Sequence, residues 1–150
     1  VSVMDIRLMR IEDYDETWGL WIHTKEMALN NLDDSREGIR KFLRRNPSTC
    51  FVAKEEQKIV GVILAGNDGR RGYIYHLAVL EEARRKKIAT KLLNAALEGL
   101  KKEGITEVAV LAKRSNECGN LFWEEENFDP REDLVYRCKN LIEIYRIETE

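Results

Sequence analysis

The feature that most constrains this chain is a strand that runs through a basic turn into a long amphipathic helix. Residues Tyr73–Val79 are rich in aromatic and β-branched side chains, which is typical of a strand. Apolar residues then recur at i, i+4, i+5, i+8, i+9 and i+12 over Ile88–Leu100, and this spacing predicts a helix. Gly104 is expected to end it. A strand joined in this way to a helix indicates a protein of the α/β or α+β class.

The remaining segments extend this pattern to the order β–α–α–β–β–β–α–β–α–β. The other strands are predicted at Met4–Arg10, Thr49–Lys54, Lys58–Ala65, Glu107–Leu111 and Leu134–Lys139, and the other helices at Glu12–Asn31, Arg36–Arg45 and Asn116–Glu126. Three successive strands are incompatible with a purely doubly wound sheet. We therefore expect a mixed central β-sheet with helices on both faces. Alternating apolar residues in the tail, Leu141–Glu150, predict either a further strand or a dimer contact.

Composition limits the classes of partner. The chain has 150 residues and a net charge of −2, which fits a single domain over residues 1–150 with one hydrophobic core. A near-neutral charge argues against nucleic acid as a partner. The longest apolar runs, such as Ile59–Ala65, are too short to span a bilayer, so we expect no membrane association.

The cysteines and histidines give no sign of a metal site. Cys50, Cys118 and Cys138 form no Cys-x-x-Cys pair, which predicts reduced thiols and a cytoplasmic location. Only two histidines occur, so we predict no multi-histidine metal centre. The N-terminus has no signal-peptide pattern, and Met4 is the expected natural start, with Val1–Val3 left by cloning.

Four consecutive cations, Arg84–Lys87, stand where the predicted helix begins. Their placement costs an isolated helix a few tenths to about 1 kcal/mol per cation, because the dipole already puts partial positive charge there. An anion at this position would remove the cost. Free backbone N–H groups and the basic side chains would together bind a pyrophosphate. The alternative is a solvated basic turn.

The same residues resemble a known motif. Leu77-Ala78-Val79 followed by Arg84-Arg85-Lys86-Lys87-Ile88-Ala89 is similar to the acetyl-CoA motif, R-x-x-G-x-[GA] opening a helix, of the GNAT superfamily of N-acetyltransferases, in particular its small bacterial members. Lys87 departs from that motif, because the family usually has glycine there. That glycine lets backbone amides approach the phosphates without a Cβ atom between them.

A second segment, Asn116–Phe128, resembles the family's N-x-x-[A]-x-x-[LF]-Y-x-x-x-G-[FY] pattern. Gly119 replaces the small alanine, Trp123 replaces the tyrosine, and Asn127 replaces the glycine. The resemblance implies that the fourth and fifth predicted strands (the family's β4 and β5) splay apart, with pantetheine between them. It implies acetyl-CoA as co-substrate, bound by Leu77, Ala78, Val79, Arg84, Arg85, Lys86, Lys87, Ile88, Ala89, Thr90, Asn116 and Trp123.

The resemblance further implies transfer of an acetyl group to a primary amine of a small molecule, peptide or protein, by direct attack in a ternary complex. It leaves the catalytic groups open among three candidates. Tyr73 aligns with a position that carries a catalytic glutamate in some members, although a phenol is ordinarily a poor base. His76 offers an imidazole, which is suited to proton transfer, but strand alternation places it opposite Tyr73. Trp123 either donates a hydrogen bond near the sulfur, packs in the core or walls the CoA channel.

The acceptor side is predicted to involve Trp21 and Glu26, both assigned to the first helix, together with Tyr75. Acidic residues in Asn30–Asp34 and Asp129–Asp133 favour a cationic acceptor. Two other functions stay compatible with the sequence. One is a CoA-binding regulatory or interaction module without turnover, and the other is an anion- or nucleic-acid-binding domain that uses the basic turn. A homodimer is possible in each case.

Overall fold

The computed structural model describes residues 4–84 and 86–149. In chain order its elements are β1 (Met4–Leu8), α1 (Tyr14–Ile22), β2 (Leu29–Asn30), α2 (Arg36–Arg45), β3 (Phe51–Glu55), β4 (Lys58–Ile63), β5 (Ala65–Asn67), β6 (Gly72–Ile74), β7 (Ala78–Val79), α3 (Ile88–Lys102), β8 (Val108–Val110), α4 (Glu117–Glu125) and β9 (Arg146–Ile147). Short 3-10 turns precede α1 and follow β7.

Two sheets meet in the middle of the chain. One is antiparallel with strand order β1-β3-β4-β7, and the other has the order β5-β6-β8. Strands β6 and β8 are parallel, so the second sheet is mixed. The chain passes from β4 to β5 through Leu64, whose carbonyl accepts a hydrogen bond from the Tyr75 N–H at 2.9 Å. The two sheets are therefore joined at this residue.

Helices cover both faces of the antiparallel sheet, because successive strand residues point to opposite sides. Val52 and Val62 belong to one core with α1 and α2, while Ala53 and Ile63 belong to another with α3 and Trp123. The buried stripe of α3 consists of Ile88, Leu92, Leu93, Ala96 and Leu100. The predicted mixed sheet with helices on both faces is confirmed.

The predicted helix Glu12–Asn31 is wrong beyond Ile22. Glu26 and Ala28 adopt left-handed backbone conformations, with φ of 65° and 53°, which no right-handed helix tolerates. The chain then forms β2, which pairs antiparallel with β9 through Leu29↔Ile147 and Asn30↔Arg146. This pairing joins distant parts of the chain, so it leaves no trace in local periodicity. It also confirms the tail as an additional strand.

The predicted strand Leu134–Lys139 is also wrong, because these residues pair with no described strand. Every residue from 131 to 143 is exposed. Alternating β-propensity alone does not make a strand when no neighbouring edge is available. The predicted strand Tyr73–Val79 is a third difference, since it divides into β6 and β7 with three residues between them.

Candidate active site

A cleft opens where β6 and β8 part. The two strands pair from Gly72↔Val108 to Ile74↔Val110, and β7 beyond them pairs with β4. The Leu80 N–H donates to the Val60 carbonyl at 2.8 Å, so by alternation the backbone groups of Val79 point away from β4. The Arg84 Nε–H accordingly reaches the Val79 carbonyl at 3.3 Å. The cleft has a volume of about 1360 Å³ and is lined by residues of both separated strands.

The N-terminus of α3 opens into this cleft. No described side chain caps it, so the first N–H groups, from Ile88 to Thr90, have no partner within the helix. Ala89 and Thr90 line the cleft together with Arg84 and Lys87. Uncapped N–H groups and nearby cations fit a bound phosphate group.

The basic turn does not act as one cluster. Lys86 pairs with Glu55 at 3.3 Å, and Arg85 lies outside the described residues. The Thr90 hydroxyl donates to Glu126 at 3.0 Å, which ties α3 to the end of α4. Arg84 and Lys87 are therefore the described cations of the turn that face the cleft.

Lys87 immediately precedes α3 with φ 60° and ψ 27°. This left-handed conformation disfavours any residue with a Cβ atom, and it gives a second reason for glycine at this position of the family motif. We expect Lys87→Gly to raise the free energy of unfolding by about 1 kcal/mol, measured by urea denaturation. Glycine relieves the left-handed backbone strain at position 87, roughly 1–2 kcal/mol, and this gain outweighs the extra conformational entropy that glycine loses on folding.

Lys91→Gly is the matched control. Lys91 lies within α3 and is exposed, so glycine there should lower the free energy of unfolding by about 1 kcal/mol. Destabilisation by both substitutions would show that the backbone at position 87 is unstrained.

The α4 segment supplies the other wall. Asn116 caps α4 by accepting the Gly119 N–H at 2.9 Å, so its amide oxygen is already engaged. A Cβ atom at position 119 would lie 2.4 Å from the Asn116 amide nitrogen. Trp123 is 9% exposed and packs edge-to-face against Phe122 and Phe128. It is at once a core residue and part of the cleft wall. Cys118, one turn before Phe122, is exposed.

The three residues between β6 and β7 form the floor of the cleft with Tyr73. Tyr75 is 50% exposed and its ring meets Phe42 edge-on, with centroids 5.6 Å apart. Partial burial raises the pKa of the Tyr75 hydroxyl above its ordinary value. The imidazole of His76 contacts a carboxylate: its Nε2 lies 2.6 Å from Asp34 Oδ1.

Two of the predicted acceptor residues, Trp21 and Glu26, lie in positions that differ from the prediction. Trp21 is fully buried and packs edge-on against His76 with centroids 5.0 Å apart, so it lies beneath the cleft and not on its lining. Glu26 lies in the loop after α1 and not on the helix. Its carboxylate accepts from the Ser115 hydroxyl at 3.1 Å and lies 3.5 Å from Lys113 Nζ, across the mouth of the cleft.

Asp34 is the candidate functional residue that sequence analysis missed. It is 3% exposed, its Oδ2 accepts the Asn30 N–H at 2.8 Å, and its carbonyl accepts the Tyr14 hydroxyl at 2.6 Å. Its partner His76 is 42 residues away in sequence. An acidic residue ahead of a helix is ordinarily a capping residue, and no local signal links it to a distant imidazole.

Two negative findings apply to residues 4–84 and 86–149. No group of three histidine, cysteine or acidic side chains there is arranged to hold a metal ion. Within the same residues, no helix combines the length and the apolar character that a membrane crossing requires.

A sheet that parts beside an uncapped helix N-terminus suits an extended ligand that carries a phosphate group. The chain belongs to the acetyltransferase (GNAT) family, whose model matches residues 10–127. It is 27% identical over 140 residues to acetyltransferase SG1711 of Sodalis glossinidius (strain morsitans), a match covering 93% of this chain and 97% of the relative. Membership confirms the predicted acetyltransferase class, with acetyl-CoA as co-substrate.

Solved structures agree with the fold. The chain resembles the PaiA N-acetyltransferase of Thermoplasma acidophilum in complex with coenzyme A, with a TM-score of 0.72, 20% identity, and coverage of 83% of this chain and 88% of that one. It also resembles a diaminobutyrate acetyltransferase from Paenibacillus lautus in complex with L-2,4-diaminobutyric acid and coenzyme A. That match has a TM-score of 0.69, 24% identity, and coverage of 87% and 80%.

Proposed function

We propose that this chain transfers the acetyl group of acetyl-CoA to a primary amine of a small molecule, peptide or protein, by direct attack in a ternary complex. One observation carries the proposal: the backbone edge of β7 that faces away from β4 and the uncapped N-terminus of α3 open into the same cleft. The first suits an extended amide-containing chain, and the second suits a pyrophosphate.

The donor half of the site uses backbone more than side chains. Val79 directs its N–H and carbonyl into the cleft and, by the same alternation, so does Leu77, whereas the backbone groups of Ala78 face β4. A single N–H aimed at the thioester oxygen would stabilise the developing negative charge by about 2.7–4 kcal/mol. The N–H groups of Ile88, Ala89 and Thr90, with Arg84 and Lys87, would hold the phosphates.

The acceptor half combines carboxylates with aromatic rings. Glu26, Asp33 and Asp34 line the cleft together with Tyr73 and Tyr75. Glu26 is paired with Lys113 and Asp34 with His76, so Asp33 and the aromatic faces of the two tyrosines are the groups that favour a cationic primary amine as acceptor. The structural relative that binds a diamino acid supports this class.

The departing thiol needs little help from the protein. A thiol with an ordinary pKa near 8.5 leaves as thiolate at a cost of about 2 kcal/mol at pH 7. Trp123 is not an acid, and its ring packs between Phe122 and Phe128. We therefore assign it to the wall of the CoA channel and assign no acid to the sulfur.

Two measurements test the proposal together. Acetyl-CoA at about 100-fold excess over its dissociation constant should stabilise the fold by about 2.7 kcal/mol, seen as a raised melting temperature. Free thiol should then appear with a matching amine from a panel of diamines, amino acids and peptides. Acetyl-pantetheine, which lacks the pyrophosphate, is the matched ligand control and should stabilise much less.

The outcomes separate the three candidate functions. Stabilisation without thiol release from any amine would favour a CoA-binding module that has lost turnover. No stabilisation by acetyl-CoA would contradict the donor site itself. A salt-dependent affinity for oligonucleotides would then favour an anion-binding domain.

Two finer predictions stay proposals. A homodimer is supported by the exposed run of residues 131–143, which carries Leu134, Val135, Tyr136, Leu141 and Ile142 on its surface. Apolar side chains at this density favour association with another surface. A cytoplasmic location rests on the three cysteines, which are free thiols in the structure.

A further inference from the structure

A buried imidazole–carboxylate pair lies at the floor of the cleft. The side chains of His76 and Asp34 are 12% and 4% exposed, and Nε2 of His76 lies 2.6 Å from Oδ1 of Asp34. A buried carboxylate requires a charged or hydrogen-bonding partner. No lysine or arginine of the described residues forms an ion pair with Asp34, so His76 is its side-chain partner.

This contact selects one tautomer of the neutral ring. A carboxylate accepts hydrogen bonds and cannot donate them, so in the neutral imidazole Nε2 of His76 donates to Asp34 and Nδ1 keeps the lone pair. Nδ1 makes no hydrogen bond to any residue in the ranges 4–84 and 86–149. His76 lines the cleft, and Trp21 packs against its ring from the core side. The ring is held with one nitrogen engaged and the other free.

The surrounding charged and titratable groups leave this pair undisturbed. Arg36 is bonded to Asp15 at 2.6 Å and stacks over the Tyr14 ring, while Asp33 accepts from the Asn30 amide. The Tyr14 hydroxyl donates to the Asp34 carbonyl and not to its carboxylate. Tyr75, the next residue in the chain to His76, is neutral at pH 7, and partial burial raises the pKa of its hydroxyl further.

We propose that Nδ1 of His76 is the general base that deprotonates the acceptor ammonium, and that Asp34 is a positioning residue. Asp34 would select the Nε2–H tautomer and stabilise the imidazolium after proton transfer. The inference rests on the proposed function and names the residue that generates its nucleophile. A base is required because an alkyl ammonium, with an ordinary pKa near 10.4, is not a nucleophile at pH 7.

The step balances without a further reactant. The first ammonium proton passes to Nδ1 of His76, and the amine nitrogen then bonds to the thioester carbonyl carbon. The carbon–sulfur bond breaks, and the thiolate takes the second proton from the attacking nitrogen to become a thiol. His76 returns its proton to water. The products are an amide, a thiol and one released proton.

The test compares His76→Gln, Asp34→Asn and the double variant. Glutamine can still donate to Asp34, so the fold is expected to survive with an unchanged melting temperature. We expect His76→Gln to lower kcat/KM at least about 100-fold and Asp34→Asn at least tenfold, with an unchanged dissociation constant for acetyl-CoA. The double variant should be no slower than His76→Gln, because both residues serve one proton transfer.

Two further readouts distinguish a base from a structural residue. The loss of kcat/KM caused by His76→Gln should be smaller for acceptor amines of low pKa, because these amines are already deprotonated at pH 7. Imidazole nitrogen NMR, with His23→Gln to assign the two histidine signals, should show the Nε2–H tautomer in the native chain. In Asp34→Asn, the tautomer population of His76 should shift towards Nδ1–H.

Each result decides one of the two proposals. Native protein that turns over an amine while His76→Gln is equally fast would overturn the base assignment alone. A native tautomer with the proton on Nδ1 would overturn it as well, without any assay of turnover. Native protein that binds acetyl-CoA but acetylates no amine would contradict the proposed function, and the base with it.

Discussion

Ala89→Glu is expected to weaken acetyl-CoA binding at least about 100-fold, roughly 2.7 kcal/mol, and to leave the fold at least as stable as before. Ala89 is the second residue of α3 and lines the cleft beside the free N–H groups. A carboxylate there would occupy the anion position itself and repel the phosphates. It also complements the helix dipole, which favours the ligand-free fold by about 0.3–1 kcal/mol. Calorimetric titration and thermal melting measure the two effects separately.

Ala89→Gln is the matched control, because it adds the same bulk without charge. It should weaken binding less than Ala89→Glu, and the difference between the two should fall as salt screens the repulsion. Equal dissociation constants for the glutamate and glutamine variants would mean that the phosphates bind away from α3. Loss of stability in Ala89→Glu alone would mean that the N-terminus is already satisfied in the free protein.

Local signals explain why much of the fold was predictable. The bounds of α2 agree with the prediction over Arg36–Arg45, and α3 begins at the predicted Ile88 and extends two residues beyond Leu100. Both helices have a strong apolar stripe and a defined start, and both signals lie within the sequence of the helix itself. Ser35, for example, caps α2 by accepting the Gly38 N–H at 3.0 Å.

The elements that were missed depend on contacts between distant residues. β2 exists because the C-terminal end returns to pair with it, and this pairing ends the first helix early. The same applies to the acceptor side: Glu26 reaches Lys113 and Ser115, and His76 reaches Asp34. Sequence periodicity carries no information on such pairs.

The donor and acceptor halves of the site therefore differ in how the sequence specifies them. The donor half consists of one strand, one turn and one helix that are consecutive in the chain, so a motif of about 20 residues describes it. The acceptor half is assembled from the loop before α2, the floor residue His76 and the loop beyond β8. Its geometry depends on how tightly the loop that carries Asp34 is held.

Gly38→Ala is expected to disrupt that loop. A Cβ atom at position 38 would lie 2.3 Å from the Leu32 carbonyl oxygen and 2.4 Å from that of Asp33, and both are backbone atoms that cannot rotate away. The loop must move, which should lower the free energy of unfolding by about 1–3 kcal/mol. Because Asp34 moves with it, amine turnover should fall as in Asp34→Asn. Urea denaturation and steady-state rates measure the two effects.

Gly19→Ala provides the control, since Gly19 lies within α1 and a Cβ atom there meets nothing within 4 Å. Alanine is the better helix former, so this variant should gain about 1 kcal/mol and keep full turnover. Acetyl-CoA should bind Gly38→Ala with native affinity, because the α3 N-terminus belongs to the other half of the cleft. A Gly38→Ala variant with native turnover would show that the Asp34 loop does not set the position of His76. A parallel loss of acetyl-CoA affinity would show that the donor and acceptor halves of the cleft are not independent.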